Sequence, residues 1–118
     1  MSEYRTTYDR VFKGANENFK GNKLNEENQG TYESILNLAK GLSAERSKFG
    51  NIDYGYTKAS SESRNAIVYI EIKPPIMISG EKEKAIAEMA QAADDMVISV
   101  LSSGKVRISF GVRDIWSE

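Results

Sequence analysis

Residues 96–110 read MVISVLSSGKVRISF. Two alternating apolar runs meet at Ser-Ser-Gly, so the stretch is a β-hairpin whose register depends on its loop. A two-residue turn at Ser103-Gly104 pairs Ser99 with Ile108 and Val97 with Phe110, which sets polar against apolar. A three-residue loop, Ser102-Ser103-Gly104, pairs Val100 with Val106, Ile98 with Ile108 and Met96 with Phe110. That register makes one face uniformly apolar. It also sets Gly104 at the left-handed position of a type I turn with a G1 bulge. The three-residue loop is therefore expected, with Leu101 opposite Lys105, Ser99 opposite Arg107 and Val97 near Ser109 on the other face.

A second hairpin lies upstream. IDYGYTK (52–58) and AIVYIEIK (66–73) flank the polar loop ASSESRN and are rich in β-branched and aromatic residues. Ala66, Val68, Ile70 and Ile72 share the more apolar face, which is predicted to meet the core. Between the hairpins, IEIKPPIMISGEKEKAI (70–86) ends a strand and opens a helix. The Pro pair donates no ladder hydrogen bonds, Ile76 and Ile78 anchor the crossing, and Ser79 is placed to cap the helix. Helical spacing of Ile86, Met89, Ala90 and Ala93 predicts a helix over 81–95. This Ser-Gly-Glu-Lys stretch is no phosphate loop. It has one Gly, no Ser or Thr after its Lys, and Glu81 and Glu83 in its first turn.

Another helix is predicted over 31–49, with Tyr32, Ile35, Leu36, Ala39, Leu42 and Phe49 on one face, Thr31 as cap and Gly50 at the C-terminal turn. Residues 3–19 show a helical stripe from Tyr4 to Phe19, with a strand over Tyr4–Tyr8 as the alternative. KGNKLNEENQG (20–30) reads as a loop. The expected fold is α+β, a four-stranded antiparallel sheet of two hairpins with two to three helices packed on one face. The 118 residues suit one domain, with residues 1–30 as a peripheral helix and loop.

Composition excludes several function classes. The chain has no His and no Cys. It therefore lacks the commonest general base, the commonest transition-metal ligand and any thiolate. No metal or cofactor is expected. A formal charge of −1 gives weak whole-molecule attraction to polyanions. No apolar run approaches a membrane span and the N-terminus is not a secretory signal, so a cytoplasmic protein with no membrane partner is the default reading.

Candidate binding residues lie on the sheet face away from the predicted core. Lys105, Arg107 and Arg113 line one face of the last strand, and Ile67, Tyr69 and Lys73 line the same face of residues 66–73. Such mixed basic and aromatic surfaces bind single-stranded nucleic acid and also protein partners. A solvated sheet face with scattered charge produces the same pattern. A bulge at Gly111 would turn Arg113 to the opposite face. The leading expectation is a small non-catalytic accessory protein that binds a protein partner, or itself as a homodimer, through an open sheet face or edge. Single-stranded nucleic-acid binding is the alternative. An enzyme using Tyr69, Glu71 or Lys73 is third, and it requires a concave pocket at those residues.

Overall fold

The structure is a computed structural model and describes residues 11–12, 14–45, 51–73, 76 and 78–118. Helix α1 spans Glu26–Ala44 and α2 spans Glu81–Ala92. The strands are β1 (Lys23–Leu24), β2 (Ile52–Tyr56), β3 (Ala66–Ile72), β4 (Asp95–Val100), β5 (Val106–Val112) and β6 (Trp116–Ser117). The long strands form one antiparallel sheet in the order β2-β3-β5-β4, and β1 and β6 form a separate two-stranded ribbon. This is the expected α+β arrangement, with two helices among the described residues.

The last hairpin adopts the three-residue loop. Val100 pairs with Val106, Ile98 with Ile108 and Met96 with Phe110. Gly104 has φ +88°. Its N–H donates to Leu101 O at 3.0 Å, and Leu101 N–H donates to Lys105 O at 2.9 Å. Seven residues of β3 pair with β5 from Ala66↔Val112 to Ile72↔Val106. The ladder is continuous through Gly111, so no bulge interrupts it.

The core lies on the predicted face. Tyr32, Ile35, Ala39 and Leu42 of α1 and Met89 of α2 bury against Ile52, Ala66, Val68, Ile70, Phe110 and Val112. The period-3.6 stripe of α1 meets the period-2 stripe of the sheet, and burial of apolar area drives the contact. Ile76 and Ile78 pack against this cluster as expected. None of the described helices is long and apolar enough to cross a membrane.

Helix α1 begins earlier than the periodicity implied. Asn25, not Thr31, is its N-cap, and the Asn25 side chain accepts a hydrogen bond from Asn28 N–H at 3.1 Å. The residues expected as loop, 26–30, are helical because tertiary contacts hold them. Asn28 Nδ2 donates to Arg113 O at 3.2 Å and Asp114 O at 3.1 Å, and Asn25 N–H donates to Ile115 O at 2.8 Å. Glu26 and Glu27 also favour the positive end of the helix dipole. The helix ends at Ala44, and the expected C-terminal turn at Phe49 and Gly50 lies outside the described residues.

Two further expectations shift. Gly80, at φ +60°, is the N-cap of α2 and has no side chain to bond with, so Ser79 does not cap it. Residues 95 onward belong to β4, so α2 stops at Ala92. The predicted helix over 3–19 lies mostly outside the described residues. Where described, residues 14–19 form successive tight turns, with Glu17 N–H bonding Gly14 O and Phe19 N–H bonding Asn16 O, both at 3.2 Å.

Replacing the observed cap with alanine (Asn25→Ala) is expected to cost about 1 kcal/mol in urea unfolding. Thr31→Ala is expected to cost less than about 0.5 kcal/mol. The opposite ranking would return the helix start to Thr31.

Candidate interaction surfaces

The sheet face away from the helices is built by steric fit around two glycines. Gly55 of β2 stands opposite Tyr69 of β3, and the Tyr69 ring lies across it in the space a Cβ would fill. Gly111 of β5 receives the Phe12 ring, which a Cβ there would approach to 2.5 Å. These contacts explain why the face is covered where it was expected to be open. Ile67, Ser99, Arg107 and Ser109 are all buried, and Leu101 is half-buried.

The candidate cations are brought together and then matched by carboxylates. Arg107 stacks on the Tyr69 ring, 4.2 Å from its centroid, and forms an ion pair with Glu71 through Nη2 at 2.5 Å. The Arg107 side chain is 3% exposed and that of Glu71 15%, so both charges are largely desolvated. Lys105 Nζ reaches Asp53 at 3.3 Å and Glu71 at 3.8 Å. Arg113 pairs with Asp95 through Nε at 2.6 Å and Nη2 at 2.8 Å. The hydrogen bonds that Arg113 donates to Asp95, reinforced by the Asp95 charge, raise the pKa of the guanidinium above its ordinary value. Lys73 is exposed beyond the end of β3. The face thus presents a charge-balanced lattice, where the sequence suggested a basic stripe.

A groove of about 510 Å³ opens between α1 and β2, lined by Tyr32, Leu36, Lys40, Tyr56 and Lys58 among others. It contains none of Tyr69, Glu71 and Lys73, the residues on which an enzyme was to rest. No group of three or more His, Cys, Asp or Glu side chains among the described residues is placed to hold a metal ion.

Among the described residues, the most exposed large apolar side chains lie on the helix side of β4. Helix α1 contacts β2, β3 and β5, and α2 lies against α1. β4 is left at the sheet edge. Its core-facing residues Met96, Ile98 and Val100 are consequently 50%, 58% and 80% exposed. They share a face with Phe110, Ile108 and Val106, their partners on β5. The same residues also present main chain. Leu101 bonds inward to Lys105, so the antiparallel alternation directs the N–H and C=O of Met96, Ile98 and Val100 away from β5.

Natural edge strands are commonly blunted by charge, proline or a bulge. From Met96 to Gly104 the sequence has no charged residue and no proline, and the β4–β5 ladder is unbroken over six pairs. The opposite edge, β2, differs. It carries Asp53 and Gly55, and its exposed Tyr54 and Tyr56 rings stack on each other at 6.3 Å. Sequence reasoning set Met96, Ile98 and Val100 on the apolar face of the last hairpin. The signal it passed over was the uncharged run between Asp95 and Lys105.

Removing the acid from the buried pair, in Glu71→Gln, is expected to cost about 3–5 kcal/mol because the buried Arg107 guanidinium loses the Glu71 carboxylate. Pairing Glu71→Leu with Arg107→Met is expected to cost much less. Denaturant unfolding of both variants checks this, and equal losses would mean that packing, not charge pairing, holds the site.

Compared with known proteins, the chain matches no protein-family model, no curated protein and no solved structure, so the functional reading is carried by these surfaces.

Proposed function

We propose that this chain is a small non-catalytic binding protein that takes a protein partner at the edge of β4. One observation carries the reading. Met96, Ile98 and Val100 expose apolar side chains and unpaired main-chain groups together, on an edge that nothing in its own sequence blunts. An added strand would satisfy the main chain by β-augmentation and cover part of the apolar row. The groups are held in an extended ladder before binding, which limits the ordering cost of association.

The charge-balanced face does not favour nucleic acid. Counterion release needs cations free to meet phosphates, and Lys105, Arg107 and Arg113 each already face a carboxylate.

The test is co-purification from the native host with wild-type, Ile98→Lys and Lys105→Glu chains. Wild-type and Lys105→Glu baits are expected to retain the same partner and Ile98→Lys to lose it. Retention by Ile98→Lys would overturn the edge reading. In parallel, a labelled single-stranded oligonucleotide at about 50 mM salt is expected not to bind. Tight binding that falls steeply as salt rises would replace the proposal with nucleic-acid recognition.

A further inference from the structure

We infer that the partner of the β4 edge is a second copy of this chain, paired antiparallel about a two-fold axis at Ile98. The inference rests on the edge reading above and specifies its occupant.

The pattern of β4 is self-complementary about Ile98. In a two-fold antiparallel pair centred there, Ile98 faces Ile98 of the second copy, Met96 faces Val100, and Val100 faces Met96. These are the residues whose N–H and C=O groups point outward. Each therefore meets an outward residue of the second copy and can exchange both N–H···O bonds of a narrow pair. A register shifted by one residue would set outward groups against inward ones and lose those bonds. The apolar rows of the two copies then lie side by side on the same face of a continuous sheet. Cross-strand contacts between β-branched and apolar side chains add to the pairing.

Charge is compatible with this register. The Met96–Gly104 run carries no charge, so no like charges meet across the pair. Beyond β4 the pairing ends: Asp94 N–H turns inward to Gly111 O at 2.9 Å, and Ser102 lies in the hairpin turn. A generic strand would satisfy the main chain equally well. The symmetric match of Met96 to Val100 about Ile98 is what a second copy of the same strand supplies.

The chain has no cysteine, so single cysteines report the register. Paired Cα atoms in a narrow antiparallel pair stand about 5.5 Å apart, within disulfide range. Ile98→Cys is expected to give a covalent dimer under mild oxidation. Met96→Cys and Val100→Cys are each expected to give none alone, because equivalent residues lie about 13 Å apart along the strands. Mixed together, Met96→Cys and Val100→Cys are expected to cross-link. All three positions are exposed, and circular dichroism confirms that the variants fold. Sedimentation is expected to show the wild type at twice the chain mass and Ile98→Lys as a monomer, its self-association weakened more than about tenfold. A wild type that stays monomeric at about 1 mM overturns self-pairing. A dimer in which Met96→Cys cross-links alone while Ile98→Cys does not overturns the register. Failure of the edge reading is distinguishable from both, because Ile98→Lys would then keep its host partner.

Discussion

The pairing of β3 with β5 is the interaction on which the rest of the molecule depends. Each hairpin alone is two strands, an arrangement of marginal stability in water. The ladder from Ala66↔Val112 to Ile72↔Val106 joins them into one sheet. It sets Val68 opposite Phe110 and Ile70 opposite Ile108, which gives α1 a broad apolar floor. On the reverse side the same register sets Glu71 opposite Arg107 and Tyr69 opposite Ser109. Core and charge lattice thus share one hydrogen-bond register, and slipping it by one residue would exchange the two faces.

That pairing also decides which strands become edges. With β3 and β5 central, β2 and β4 are outermost. Helix α1 reaches β2, β3 and β5, so β4 carries core-type residues beyond the cover of the helix layer. Apolar burial explains why β3 and β5 are buried on the helix side. It gives no reason for Met96, Ile98 and Val100 to remain apolar while exposed. An interface supplies one, because a row of this kind on an unblunted edge is otherwise a liability for aggregation.

Much of the fold was legible because it follows from local periodicity. The period-2 alternation of 66–72 and 106–112, the Gly104 turn and the helical spacing of α1 and α2 are set by neighbours in the chain. The start of α1 was not legible, because Asn25 and Asn28 are held by Arg113, Asp114 and Ile115, far away in sequence. The β1–β6 ribbon is hidden for the same reason, since two-residue strands carry no periodic signal. For the candidate surface, the sequence grouped Lys105, Arg107 and Tyr69 on one face correctly. It could not show that Tyr69 folds over Gly55, that Phe12 meets Gly111, or that Lys105, Arg107 and Arg113 each meet an acid.

The amino-acid sequence by itself determined the α+β class, the two hairpins, the register of the last one and the side of each strand that faces the core. Those properties depend on side-chain alternation and turn chemistry, which act over a few residues. Only the tertiary structure decided which hairpin strands lie inside, which acids neutralise Lys105, Arg107 and Arg113, and that Met96, Ile98 and Val100 escape the helix layer. Those outcomes depend on which strands meet and where α1 comes to rest. A strand's alternation says which way its side chains point, but not whether anything lies above them.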